Sequence, residues 1–331
     1  GTAAWNQPNW SDHHRAKKPP LPVIVPRISA DWNREERPMA QVEMGIGLVG
    51  FRDIAMVDRD EERNALWQAL GAVHQQHRPR LVLLKGPAGS GKSRLARWLL
   101  ENSLETGAAL GWRAVHSSTS SRADGLGPML SRQLGCFGLA GTELLQRLED
   151  MSERRCLAGV EPMALAAIIE GKEATQLFSA PRQRYEPILR YMSREAEQRP
   201  LVIWLDDVQW GEDALRFAAA AIEADTPALM VLTSQNEAMA ERTLEPELLA
   251  DLLDCPRCTQ IEVGPLDEAA QRILLGNLLR LQGDLAARVS SRTNGNPLFA
   301  IELVRHWAEH EVLHQVEGGF ILDQQADQAL P

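Results

Sequence analysis

The residues best suited to chemistry lie in Gly86-Pro87-Ala88-Gly89-Ser90-Gly91-Lys92-Ser93, a complete Walker A pattern in which four residues separate the first glycine from Gly-Lys-Ser. Glycines let the backbone wrap tightly enough for successive N–H groups to converge on phosphate oxygens. A helix starting at the end of the loop adds its positive terminus. Lys92 then supplies a mobile charge for β- and γ-phosphates, and the Ser93 hydroxyl supplies a ligand for Mg²⁺. Arg94, next in sequence, completes the set of expected nucleotide contacts. The bland alternative, a Gly-rich turn with an exposed lysine, leaves the flanking strand and helix unexplained. A second set is Asp206-Asp207, directly after the apolar run Leu201-Val202-Ile203-Trp204-Leu205. Open α/β sheets place ligand chemistry at the carboxyl ends of their strands. Asp206 is therefore expected to hold Mg²⁺ through water, and Asp207 to orient or polarise an attacking water. Two solvated acids opening a turn is the competing reading, and it weakens once a phosphate loop stands upstream. Lys92 and Asp207 are thus the expected catalytic residues, and ATP with Mg²⁺ the expected ligands.

Positioning these groups takes buried strands that alternate with helices. Leu81-Val82-Leu83-Leu84 is a continuous apolar run of strand length feeding the phosphate loop, as in a strand covered on both faces. A helix carrying Leu95, Trp98 and Leu99 follows, stopping near Gly107. Further strands are expected at 109–115, Leu201–Leu205, Leu229–Thr233 and Gln260–Val263. Upstream, Asp58 with Glu61 three residues later reads as a capping box opening a helix through Ala65, Leu66, Ala69, Leu70 and Val73. Strands alternating with helices predict an α/β fold, a P-loop fold with a five-stranded parallel sheet covered by helices on both faces. A small helical lid follows it. The division is 1–44, a Pro-rich linker or arm; 45–264, the core, with a helical insertion at about 117–199; and 265–331, the lid, ending in a hairpin of 312–316 with Phe320-Ile321-Leu322. The opening Gly1-Thr2 and the stop at Pro331 read as the ends of an excised piece.

Composition bounds the rest. The chain has 331 residues, of which 44% are hydrophobic and 24% charged, with a net charge of −10. Those fractions exclude wholesale disorder. The acidic balance disfavours direct nucleic-acid binding. No apolar run approaches the roughly 18–20 residues that span a bilayer, so no membrane partner is expected and the cytoplasm is the expected compartment. Four cysteines do not make a disulfide scaffold in a chain this long.

Val57-Asp58-Arg59-Asp60-Glu61-Glu62, Gly86–Ser93, Trp204-Leu205-Asp206-Asp207-Val208-Gln209-Trp210 and Gly295-Asn296-Pro297-Leu298-Phe299, in that order, resemble the signal-transduction ATPases with numerous domains. These are AAA-related switches of large bacterial regulators. The resemblance covers roughly 45–331 and is nearest to modules fused behind a serine/threonine protein kinase. It implies an ATP-binding, slowly hydrolysing switch, with covalently linked regulatory domains as partners and nucleotide-dependent self-association open. Arg59 corresponds to the upstream arginine beside the nucleotide, and Pro297 to the lid proline near the adenine. The chain departs from the family in two places. Asp58 stands where the family usually has Gly, and Gln235 where an arginine commonly reports on the γ-phosphate.

Other functions use the same loop. A small-molecule kinase and a binding scaffold with vestigial hydrolysis remain compatible, a nucleic-acid-remodelling motor is disfavoured by the net charge of −10 and by Gln235, and a protein kinase lacks any Val-Ala-Ile-Lys, His-Arg-Asp or Asp-Phe-Gly equivalent. Cys255-Pro256-Arg257-Cys258 has zinc or redox spacing, but no second pair completes a zinc site and Pro256 suggests a loop. His306 and His310 could align on one helix for a metal; a polar face opposite Leu303 and Trp307 explains them more simply.

Overall fold

A computed structural model describes residues 54, 56–119, 121, 123–155, 161–171, 181–197, 199–279, 283–310, 312–316 and 319–322. The expected linker at 1–44 lies outside the described residues. In chain order the elements begin with α1 (Asp60–Gln76), β1 (Arg80–Gly86), α2 (Lys92–Glu105) and β2 (Leu110–Val115). Four helices follow: α3 (Leu126–Gln133), α4 (Gly141–Arg155), α5 (Glu161–Ile169) and α6 (Glu186–Glu195). Then come β3 (Leu201–Asp206), α7 (Glu212–Glu223), β4 (Ala228–Gln235), α8 (Asn236–Ala240), α9 (Leu244–Leu253) and β5 (Cys258–Glu262). The last part holds α10 (Glu268–Leu279), α11 (Gly283–Thr293), α12 (Pro297–Glu309) and the antiparallel pair β6 (Leu313–Val316) and β7 (Gly319–Leu322).

The five strands of the main sheet are parallel and ordered β2-β3-β4-β1-β5. Their side chains alternate between two cores, as the period of a strand requires. Leu81 and Leu83 of β1, Leu201, Ile203 and Leu205 of β3, and Met230 and Leu232 of β4 face one layer. Val82 and Leu84, Val202 and Trp204, and Leu229 and Val231 face the other. The second layer is roofed by α1 and α2 through Leu66, Leu70, Leu95 and Leu99. The first is roofed by the long β2–β3 crossover, where α3 to α6 contribute Met129, Leu130, Leu144, Leu148, Leu165, Ile188 and Tyr191. The helices Leu126–Gln133, Gly141–Arg155, Glu161–Ile169 and Glu186–Glu195 are thus packed onto the sheet; Trp112 of β2 stacks on Tyr191 at 5.5 Å. The three helices after β5 enclose a separate core around Leu274, Leu275, Leu278, Val289, Val304 and Trp307.

The start of α1 differs from the sequence expectation. The helix opens at Asp60, and neither Asp58 nor Arg59 caps it with a side chain. Both residues have left-handed backbones, with φ 60° and 74°, so the Asp58–Glu61 capping box does not form. Asp58 therefore adopts the conformation for which glycine is the usual choice, and Asp is one of the few side chains that tolerate it. First-turn Asp60, Glu61 and Glu62 complement the helix dipole instead.

Candidate active site

β1 ends at Gly86, where a side chain has no room: an added Cβ would lie 2.3 Å from the Val263 carbonyl oxygen. The chain then turns through Gly89 and Gly91, at φ 76° and 104°, conformations that favour glycine. It enters α2 with the Leu95 N–H donating to the Gly91 carbonyl at 3.0 Å. Lys92 is buried, and its ammonium donates to the loop carbonyls of Gly86 (3.0 Å) and Pro87 (2.6 Å). Burial holds its pKa below the ordinary 10.5, while Asp207, Glu237 and Asp206 pull the other way. The Ser90 hydroxyl is buried without a partner among the described residues.

Asp206, at the end of β3, is 5% exposed. Its Oδ1 accepts from the Ser93 hydroxyl at 2.8 Å and from the Thr233 hydroxyl at 2.7 Å. Its Oδ2 pairs with Arg113 at 3.1 Å, and the Arg113 guanidinium lies 3.9 Å over the Trp204 ring. His116 Nδ1 sits 2.8 Å from the Asp206 carbonyl oxygen, and burial lowers its pKa from the ordinary 6.5. Asp207 has a left-handed backbone, φ 56°, and its N–H donates to Thr233 Oγ1 at 2.9 Å. Two amides hold its Oδ1: Gln209 Nε2 at 3.0 Å and Gln235 Nε2 at 3.2 Å. The Gln235 N–H donates in turn to Gln209 Oε1 at 3.2 Å. Gln235 reaches this place because it is the register partner of Gly86.

On the other side of the loop, Arg59 donates to the carbonyls of Ser90 (3.2 Å) and Gly264 (2.5 Å) and pairs with Glu62 at 2.9 Å. Arg59, Arg94 and Pro297 line one narrow cleft of about 40 Å³ with Met56, Val57 and Ile301. The start of α12 touches the loop directly. Asn296 Nδ2 donates to the Ala88 carbonyl at 2.8 Å, and the Leu298 N–H to the Gly89 carbonyl at 3.3 Å. Asn296 also caps α12, its Oδ1 accepting from the Phe299 N–H at 3.1 Å.

The donor set suits the ligands that the motifs imply. Ser93 and Asp206 offer adjoining oxygens of the hard kind that Mg²⁺ takes. Two left-handed glycines, a helix N-terminus, a lysine and the orphaned Ser90 hydroxyl suit phosphate.

The residues expected to bind nucleotide and Mg²⁺ lie around this one loop. Lys92, Ser93, Asp206, Asp207 and Gln235 are on one side, and Arg59, Arg94 and Pro297 line the cleft on the other. Thr233, Arg113, His116, Gln209 and Asn296 join the site beyond the residues that the sequence marks as contacts. Thr233 was concealed inside an apolar strand run, where a hydroxyl at the carboxyl end is the one available signal. Arg113 is a charge in the middle of a strand flanked by Trp112 and Ala114, both buried, and that pattern could have marked it. The metal reading of the histidines gains no support: among the described residues no group of three or more His, Cys, Asp or Glu could hold a metal. His306 and His310 are exposed. No helix among the described residues is long and apolar enough to cross a membrane.

Solved structures with a related course of chain include the ORC1 protein of Aeropyrum pernix in complex with DNA, at 17% identity and a TM-score of 0.47, with 80% of this chain and 63% of that one covered. Drosophila ORC bound to DNA gives 11% identity and a TM-score of 0.49, covering 84% and 64%. Domain III of the Thermotoga maritima replication initiation protein DnaA gives 12% and 0.38, covering 76% and 82%. The chain spans less than two thirds of the length of the first two. No curated protein matches it. The model of the AAA ATPase domain family matches residues 55–232, which hold both the phosphate loop and the paired carboxylates. That span exceeds half of the 331 residues, and the chain belongs to the AAA ATPase domain family.

Proposed function

We propose that the chain is an ATP-binding, slowly hydrolysing switch, acting in the cytoplasm within a longer signalling protein whose covalently linked domains supply input and output. The observation that carries the switch is the seating of Asn296 and Leu298 on the carbonyls of Ala88 and Gly89. A ligand in the phosphate loop thereby meets the sheet and the lid helices at once, and must favour arrangements that keep both contacts. In this reading the loop amides and Lys92 hold the phosphates, Ser93 and Asp206 hold Mg²⁺, and Arg59, Arg94 and Pro297 line the place of the nucleoside. Bound Mg²⁺ would supply charge neutralisation between the outer phosphates. Asp207 orients and polarises water, its Oδ1 engaged by Gln209 and Gln235. An amide at position 235 offers no cation for developing charge, which supports slow turnover.

Hydrogen exchange with and without ATP tests the coupling. ATP should protect amides at 292–304 together with those at 86–93, and Pro297→Ala should lessen the first more than the second. Protection confined to the loop would remove the switch and leave a simple hydrolase or a vestigial site. Single-turnover hydrolysis with candidate acceptors present separates a small-molecule kinase from a hydrolase.

A further inference from the structure

Cys255-Pro256-Arg257-Cys258 joins α9 to β5 at the opposite end of the sheet from the phosphate loop: Cys258 pairs with Leu81, at the start of β1. The Cys258 N–H donates to the Cys255 carbonyl at 2.9 Å, closing a four-residue turn. Turns of this kind bring their end Cα atoms within about 7 Å, and a disulfide spans roughly 4.4–6.8 Å. The two cysteines are free thiols. Cys255 is half-buried and lines a cavity of about 380 Å³ between α7 and α9, beside Leu215, Ile222, Leu248 and Leu252. Cys258 lies behind it, 8% exposed. Arg257 lines the same cavity as Cys255, its guanidinium fixed by Asp225 at 2.5 Å and by the Ile222 carbonyl at 3.0 Å. An accessible sulfur beside a held cation, with a second thiol buried at its back, is the arrangement of an attacking and a resolving cysteine.

We propose that Cys255 and Cys258 form a thiol–disulfide exchange site for low-molecular-weight disulfides, with Cys255 attacking and Cys258 resolving. Cys255 loses its proton to solvent and its thiolate attacks one sulfur of the small disulfide. That S–S bond breaks, one thiolate leaves and takes up a proton, and a mixed disulfide remains on Cys255. Cys258 then loses its proton, attacks Cys255 Sγ and expels the second small thiol. Two electrons pass from the protein dithiol to the small disulfide, giving two small thiols and a Cys255–Cys258 bond. The asymmetry of the pair agrees with these roles. Arg257 holds the Cys255 thiol below its ordinary 9.0. Burial and Cys255 push Cys258 up to about 12. Cys255 follows the C-terminus of α9, whose negative end opposes a thiolate, so Arg257 has to outweigh it.

Oxidised glutathione is the probe, with peptide mass as the readout on the full chain. Wild type should yield a 255–258 peptide lighter by two hydrogen atoms, at a rate well above modification of Cys136, which is buried and whose thiol burial raises. Cys258→Ser should trap one glutathione on Cys255, and Arg257→Gln should slow attack roughly tenfold. ATP binding, at the far end of the sheet, serves as the check that each variant is folded. A Cys255 that reacts no faster than Cys136 overturns the proposal. So does Cys258→Ser without an adduct, or wild type that stops at the mixed disulfide.

Discussion

Replacing Thr233 by valine keeps the shape of a fully buried side chain and removes one hydroxyl. That hydroxyl donates to Asp206 Oδ1 at 2.7 Å and accepts the Asp207 N–H at 2.9 Å. A hydrogen bond to a charged group contributes about 1.5–3 kcal/mol, and an orphaned buried donor costs about 1–3 kcal/mol. Asp206 retains Ser93 and Arg113, and Asp207 is only half-buried, so both effects fall at their lower ends. Thr233→Val should then cost about 2–3 kcal/mol. Thr233→Ser keeps both bonds and deletes one methyl, at about 1 kcal/mol. Urea unfolding at unchanged slope gives the comparison. A second readout concerns the ligand: the valine variant should weaken the Mg²⁺-dependent part of its ATP affinity, because Asp206 Oδ1 loses one of the two hydroxyls that fix it, and the serine variant should keep it. Equal midpoints for the two variants, with Mg²⁺ dependence intact in both, would refute the bridging role of Thr233.

Three other outcomes are expected. Lys92→Ala should weaken ATP binding by about 10- to 100-fold, the scale of one charge-assisted contact, without unfolding the chain, as read by calorimetric titration. Asp207→Asn should leave ATP bound and lower turnover by roughly 10²-fold or more; if Asp206→Asn alone stops hydrolysis while Asp207→Asn abolishes Mg²⁺-dependent binding, the two roles are exchanged. His116 makes stability depend on pH. Burial puts its folded pKa below the ordinary 6.5, against the pull of Asp206, Asp124 and Asp213, so between the two values the unfolded chain binds more protons. Stability therefore rises with pH through that window and levels off above 6.5, and His116→Gln should flatten this part of a urea-midpoint profile taken against pH.

What the sequence shows and what it hides divide along the range of the interactions. The phosphate loop and Asp206-Asp207 are legible because each is one short segment whose neighbours, an apolar run before and a helix after, are also local. The strands are legible for the same reason: four apolar residues in a row at Leu81–Leu84 need cover on both faces. The order of the strands is a property of tertiary pairing and leaves no local trace. Thr233, Arg113 and Asn296 act on residues 27, 93 and 208 positions away, so no spacing rule exposes them. Asp58 failed differently. Asp with Glu three residues on is a sound capping signal, but the left-handed backbone at Asp58 and Arg59 directs the chain elsewhere and leaves Arg59 to reach Ser90 and Gly264.

The place of β4 between β1 and β3 sets the order in which the molecule can become competent. Ser93 and Asp206, 113 positions apart, meet only across a strand that is made after both. Contacts of such long range close late, since chain entropy is lost before they repay it. During refolding, helices and apolar collapse should precede any capacity to bind ATP. The same holds for synthesis from the N-terminus. A chain interrupted before Ala228 already contains the phosphate loop and both aspartates, yet it has no strand to space them, and therefore no site.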